Sequence, residues 1–456
     1  MTAQFDIARS LESPIVRVAL GGIGLALLYV LAQEVRKIPP KRFVLMATAF
    51  IDMLGLLMVI PLLPFYVKEL GGSGFDLLGW HVGIGMITGL IVSAFTVAQL
   101  LSAPVWGRFS DRFGRRPALL IALGAEAIAF LIFGFAKTLF VLFLSRIVQG
   151  AGGGTVGVIQ AYVADATEPE NRARSLGWLS AATNLGVALG PVLGSFAISL
   201  GERDLIPGPA TLTMGRAGPG ILAALLCAVN ILFASRYLTE SREQHHHAQK
   251  PRRPREAVWG VLTRTSEPSS RLIWIYAIAM GAFQGATTVL ALFLNAQFQV
   301  TVKTIGYFFM YIGAISVFTR VLLLGKAVDR FGEARLSRLG IVLLSLGLAG
   351  MPLAHNLGVL ALFVALIPLG TAFTFPCVTA LLSRVTSQSE RGLYMGLQQT
   401  FGGVARIIAP LWTGFAFDHL GTGIPFYSSG VLVLATITLG LGLDQYAKRP
   451  APVTVV

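Results

Sequence analysis

The chain has 456 residues, of which 54% are hydrophobic and 13% charged, with a mean hydropathy of +0.72. A soluble protein of this size carries about 25% charged residues, so the composition excludes an ordinary soluble domain and points to a membrane protein. The net charge of +14 does not imply a nucleic-acid partner. Of the 36 Lys and Arg residues, 24 lie in 33–42, 107–117, 166–177, 239–270, 325–338, 384–392 and 446–456, whereas the alternate loops hold only Lys68, Lys137, Arg203, Arg216 and Lys303. This is the positive-inside asymmetry, which makes the basic loops and the C-terminus cytosolic in a multi-pass cell-membrane protein.

A helix needs about 20 apolar residues to cross a bilayer. Residues 15–32 form a first apolar segment. Cleavage after it, as a signal peptide, would leave the basic stretch at 36–42 outside and break the charge pattern. An extra span and a helix lying on the membrane surface both stay open for this N-terminal extension, 1–42. Spans 1–6 are predicted at roughly 43–67, 80–106, 118–136, 139–165, 175–199 and 219–238, forming a first six-helix bundle over 43–238. The charged, Pro-rich segment 239–270 reads as a flexible cytosolic linker. Its His245, His246 and His247 read as part of a solvated stretch rather than a metal site. Spans 7–12 are predicted at roughly 271–298, 304–328, 337–355, 357–383, 393–417 and 424–445, a second bundle over 271–445, followed by a tail, 446–456. Cys227 and Cys377 lie in apolar runs and support neither a disulfide framework nor a metal cluster.

The halves repeat one another. GRFSDRFGRRP at 107–117 recurs as GKAVDRFGEAR at 325–335, aligning Gly107, Asp111, Arg112 and Gly114 with Gly325, Asp329, Arg330 and Gly332. Arg172, Gly177 and Pro191 recur at nearly the same offset as Arg391, Gly396 and Pro410. Duplicated halves of membrane helices are the signature of a secondary transporter. Each copy reads as a loop between spans 2 and 3 of its half. Gly107 and Gly114 would permit a tight turn and close helix approach, and Arg108, Arg112, Arg115 and Arg116 would anchor helix ends.

Four further segments carry chemistry. In span 1, DMLGLLMVIPLLP places Asp52 about 14 Å into a helix, with Gly55, Pro61 and Pro64 after it. A carboxylate at that depth costs about 3 kcal/mol, so such groups usually face a cavity and usually function. Desolvation favours the neutral carboxyl, which suits a proton carrier, although a structural ion pair would also explain it. In span 4, LFLSRIVQGAGGG carries Arg146 and Gln149; Arg146 keeps its proton and needs a carboxylate or several acceptors. The run Gly152–Gly157 fits a dinucleotide-binding pattern, but it has no preceding strand and reads as close helix packing. In span 5, GVALGPVLGS supplies Gly186, Gly190, Pro191, Gly194 and Ser195, a kinked, closely packed helix. Glu126 in span 3 is a possible second proton site. Arg406 in span 11 is a second deep cation, pointing either to an anionic or zwitterionic substrate or to an internal partner. Arg320 reads as a snorkelling or loop-pairing residue near the cytosolic end of span 8. Gln160, Asn184, Gln284, Gln398 and Gln399 are the remaining polar candidates for a substrate cavity.

The repeated loop, with the fourth- and fifth-span patterns, resembles the signatures of the major facilitator superfamily over about 43–445. The closest likeness is to its drug/proton antiporters with 12 transmembrane segments. The resemblance implies an all-α membrane fold of two pseudo-symmetric six-helix bundles around a central cavity. It also implies alternating access, with Asp111 facing the start of span 11 and Asp329 the start of span 5 as a cytosolic latch; topological anchoring alone is the other reading of these acids. Span 1 is similar to that of the tetracycline/proton antiporters. Those proteins carry acids one turn further along span 3, where this chain has Ala129, and in span 9, where 337–355 has none, so tetracycline is not the expected substrate. The expected function is proton-coupled export of amphipathic drugs or small organic molecules by a monomer. The alternative is a symporter or uniporter for an organic anion, sugar or lipid. The proton gradient is the expected driving force, with no cofactor and no metal. An enzyme is not expected: HExxH and GxSxG are absent, and the histidines outside the triple run, His81, His355 and His419, lie near span ends.

Overall fold

Both copies of the repeated segment fold as a helix–glycine–helix corner, not as a loop. Span 2, Ile84–Phe113, runs through Gly107 and Asp111, stops at Gly114, and span 3 starts at once as Arg115–Gly134. In the second copy Leu324–Phe331 ends at Gly332 and Glu333–Gly350 follows. The φ angles of Gly114 and Gly332, +105° and +75°, explain the difference: one residue in the left-handed region turns the chain without a loop. Gly107 is an ordinary helical residue with no neighbouring atom within 4 Å of an added Cβ.

The computed structural model of the chain describes residues 40–77, 79–153, 158–160, 162–163, 169–201, 211–238, 254–387 and 390–447. The apolar segment 15–32 and the triple histidine lie outside the described residues. Among the described residues, nine helices are long and apolar enough to cross a membrane, and Leu139–Gly152 and Ile424–Gly440 are shorter apolar helices. The helix Arg391–His419, span 11, is long but more polar.

Span 1 consists of Pro40–Val59, a 3-10 turn Ile60–Leu62 and Leu63–Gly71. Pro61 and Pro64 each stand at the start of a new helical segment, where a missing N–H costs least. A hairpin of β1 (Phe75–Leu77) and β2 (Trp80–Val82) follows, with Asp76 opposite His81. Span 2 therefore begins at Ile84 and not at 80. Span 5 is a single helix, Pro169–Gly201, with Pro191 inside it, and span 6 is Thr211–Tyr237. Part of the expected flexible linker is ordered: Pro254–Thr263 is a helix, with Val261 1% exposed and its carbonyl bonded by Trp274 Nε1 at 3.2 Å. Span 7 is Pro268–Phe298 and span 10 is Leu357–Val385. Span 8, Ile305–Phe318, passes through a π-helical turn, Thr319–Leu323, that contains Arg320. Span 12 breaks at Thr436 and closes at Gly440.

The chain forms two units, Met1–His245 with Thr288–Val317, and His246–Thr287 with Phe318–Val456. In the first, Gly186, Gly190 and Gly194 lie along span 1. An ideal Cβ on each would fall 2.6, 2.7 and 2.2 Å from the carbonyl oxygens of Phe50, Leu54 and Met58. One span-5 face thus lies directly against the span-1 backbone, an approach that only small residues allow. Ser195, one turn beyond Pro191, donates to Val302 O at 2.9 Å and accepts from the Gly306 N–H at 3.1 Å. Lys68, near the C-terminal end of span 1, donates to Asn295 Oδ1 at 2.9 Å.

In the second unit, the same seam is built with the small residues exchanged between helices. Gly281 and Gly285 of span 7 face Ala405, Ala409 and Thr413 of span 11, and Thr413 donates to Gly285 O at 2.9 Å. Ala405, Ala409 and Thr413 stand 219 residues after Gly186, Gly190 and Gly194, the offset of the duplication.

Candidate functional site

In the first unit, one face of span 1 meets spans 3 and 6. Thr48, Asp52 and Gly55 recur at helical spacing on it. Gly55 packs on Phe130 of span 3 and Ala223 of span 6, and Asn230 of span 6 donates to Thr48 O at 3.2 Å. Asp52 is 2% exposed and Glu126 7%. Both carboxyls lie within electrostatic reach of the buried Cys227 thiol, one helical turn before Asn230. Spans 1, 3 and 6 thus gather two acids, a thiol, an amide and the buried Thr48 among apolar side chains. Leu119, Leu123 and Phe130 of span 3 and Ala223 and Ala234 of span 6 are buried in the same unit. In such surroundings charge is costly, and a proton on a carboxyl removes that cost.

Arg146 of span 4 is also buried, at 3% exposure. Its helix begins at an N-cap, Thr138, whose side chain accepts from Val141 N–H. The guanidinium donates through Nη1 to Gln149 Oε1 and lies over the Phe133 ring at 5.0 Å, and Phe133 packs edge-on against Tyr66 at 4.9 Å. Nε and Nη2 of Arg146, and Nε2 of Gln149, are buried without a hydrogen-bond partner. Three unsatisfied donors next to a fixed positive charge form a site that is completed by acceptors.

At the glycine corners, Asp111 pairs with Arg115 at 2.7 Å and is 65% exposed, and Arg115 also donates to Ser110 Oγ at 3.0 Å. Arg116 donates to Ser235 O at the end of span 6, and Arg112 lies over Phe113. In the second copy, Asp329 is exposed, Arg330 lies over Phe331, and Glu333 pairs with Arg384 of span 10.

The expected cavity residues fall in both units. Asp52, Arg146, Gln149, Gln160 and Asn184 belong to the first, with Gln149 buried and Gln160 exposed. Gln284, Gln398, Gln399 and Arg406 belong to the second. Gln398 is fully buried and accepts from Thr379 Oγ1 at 3.2 Å, whereas Gln399 is exposed and donates to Tyr276 Oη at 3.4 Å. Sequence reasoning passed over Cys227, Asn230 and Tyr276. Ala223, Cys227, Asn230 and Ala234 recur at helical spacing, so a polar pair on the small-residue face of span 6 was the available signal. Among the described residues no three His, Cys, Asp or Glu side chains are placed to hold a metal ion.

The solved structures that this chain resembles are described as transporters. The chain is similar to Multidrug resistance protein 2 of Bacillus subtilis (strain 168), 28% identical over 418 residues, covering 89% of this chain and 94% of that one. It is similar to the class B tetracycline resistance protein of Escherichia coli, 24% identical over 384 residues, covering 84% and 89%. Among solved structures, the human organic anion transporter MFSD10 (TETRAN) aligns with a TM-score of 0.65 at 23% identity, covering 88% of this chain and all of that one. A bacterial homolog of the human lysosomal transporter Spinster, in an inward-facing and occupied conformation, aligns with a TM-score of 0.73 at 14% identity, covering 91% and 100%. The Major Facilitator Superfamily model matches residues 45–324 and 321–454. This match, together with the duplicated corner and the all-α membrane fold, places the chain in the major facilitator superfamily.

Proposed function

We propose that the chain is a proton-coupled antiporter that exports amphipathic organic molecules by alternating access. The observation that carries this reading is the burial of Asp52 and Glu126 around one thiol in the first unit. Two acids sharing an apolar interior hold a proton at lower cost than two charges, which is the property a proton carrier needs. A proton entering from outside neutralises Asp52, with Glu126 as the second site. After the units rock, the proton leaves inward and the recharged site takes substrate from the cytosol or the inner leaflet. Arg146 biases that exchange through its fixed charge. Asp111 and Asp329 act as the cytosolic latch, and release of substrate outside completes the cycle with the next proton. The protein works as a monomer in the cell membrane with its basic loops cytosolic, and the proton gradient is the only driving force. The relatives named for multidrug and tetracycline resistance support export. The missing acid in 337–355 argues against tetracycline itself.

A second reading, symport or uniport of an organic anion, is favoured by Arg406 and by the neighbour described as an organic anion transporter. Proteoliposomes separate the two. With ethidium and carboxyfluorescein as reporter dyes, exchange accumulates dye under an inside-acid gradient and symport under an outside-acid one. Dye movement indifferent to either sign rejects proton coupling.

A further inference from the structure

Arg406 has no acid at its depth in the second unit. The membrane helices of that unit contain no Asp or Glu in 268–287, 334–385, 392–417 or 424–440. The guanidinium sits about 22 Å into span 11, and its Nε is buried without a hydrogen-bond partner. Facing it across the seam is Tyr276 of span 7, within electrostatic reach of Arg406. Gln399, Gly402 and Arg406 lie on one face of span 11. Gly402 leaves room for the Tyr276 ring: a Cβ there would fall 2.8 Å from Tyr276 Cε1. Phe375 of span 10 closes edge-on against that ring at 5.4 Å. Since Tyr276 Oη accepts from Gln399 Nε2, its O–H stays available to donate. The neighbouring Gln398 Nε2 is a further buried donor without a partner.

A desolvated, permanently charged group is stable only when acceptors complete it. The unpartnered buried polar atoms of this cluster, Arg406 Nε and Gln398 Nε2, are donors, the charge is positive, and the adjoining walls are aromatic. We propose that Arg406, Tyr276 and Gln399 form an anion subsite that binds the carboxylate or sulfonate of an amphipathic organic substrate, with Tyr276 and Phe375 against its apolar body. The proposal rests on the reading of the chain as a transporter and narrows its substrate class.

Equilibrium binding to purified protein in detergent, without any gradient, tests it independently of proton coupling. Carboxyfluorescein is the anionic probe and rhodamine 6G its cationic counterpart of the same ring system, both read by fluorescence anisotropy. Wild type is expected to bind carboxyfluorescein saturably. Arg406→Gln should weaken that binding about tenfold or more, as expected for loss of a charge-assisted hydrogen bond. Arg406→Lys should restore part of it, and Tyr276→Phe should weaken it a few-fold. Rhodamine 6G binding should not weaken in Arg406→Gln. If Arg406→Gln does not fold, Tyr276→Phe and Gln399→Ala carry the test. Undiminished carboxyfluorescein binding in the folded variants, or none in wild type, overturns the proposal. Anion binding retained alongside transport that ignores the pH gradient would sink the proton-coupled reading and leave this subsite standing.

Discussion

Gly190→Ala tests whether the contact between spans 1 and 5 is as tight as the backbone indicates. The added Cβ would lie 2.7 Å from Leu54 O and 2.9 Å from Leu57 Cβ. A carbon and a carbonyl oxygen normally come no closer than about 3.3 Å, so span 5 must withdraw by about half an ångström or span 1 must bend. Overpacking of this kind costs about 1–3 kcal/mol. For a cooperative unit of about 150–250 residues, that corresponds to a fall of roughly 2–12 °C in the melting midpoint. Asp52 lies between Phe50 and Leu54 on the displaced helix, so gradient-driven transport should fall as well, although no ionisable group has changed. Gly124→Ala in span 3 is the matched control: nothing lies within 4 Å of its Cβ. Relief of glycine's entropic cost should leave that variant unchanged or up to about 1 kcal/mol more stable. Thermal unfolding of both purified variants in one detergent, with dye transport in parallel, makes the comparison. A Gly190→Ala protein that melts and transports like wild type refutes the reasoning, as does an equal loss in Gly124→Ala.

Asn230 is fully buried and holds Thr48 O. Asn230→Leu should cost about 0.5–1.5 kcal/mol for the lost hydrogen bond. The closely isosteric Asn230→Asp should cost more at neutral pH, because it adds a third carboxyl next to Asp52 and Glu126, and its deficit should shrink as pH falls. Melting midpoints across a pH series check both the order and the trend, and a reversed order rules out the shared acid site. Among the described residues Asp111 forms an exposed pair with Arg115, so Asp111→Asn should change stability by less than about 1 kcal/mol. A slowed dye exchange in this variant supports the latch, whereas wild-type exchange leaves the residue as a topological anchor.

The gross architecture was legible because it rests on long-range regularities: apolar runs of bilayer length, alternating loop charge, and a repeated segment at a constant offset. The corners were not, because whether Gly114 and Gly332 make a loop or a one-residue turn depends on φ, which composition does not encode. The Phe75–Val82 hairpin pairs Asp76 with His81, and its second strand, Trp80–Val82, occupies residues that an apolar pattern assigns to span 2. The helix Pro254–Thr263 is only ten residues long, and Trp274 ties it to the rest of the second unit by a contact no local pattern announces. Charged residues in membrane helices were conspicuous in the sequence for their desolvation cost. Their partners were not: Cys227 and Tyr276 belong to residue types common in apolar helices, and only the fold brings them beside Asp52, Glu126 and Arg406.

The most direct measurement compares wild type and Asp52→Asn in proteoliposomes, using a dye that wild type transports, under two conditions. Without a gradient, dye-for-dye counterflow in Asp52→Asn reports whether the variant is folded and still moves dye, since that exchange needs no proton movement. Under an inside-acid gradient, wild type should concentrate the dye while Asp52→Asn stays at the level of protein-free liposomes. Gradient-driven accumulation by Asp52→Asn at the wild-type level would contradict the claim that this buried carboxyl exchanges its proton for cargo.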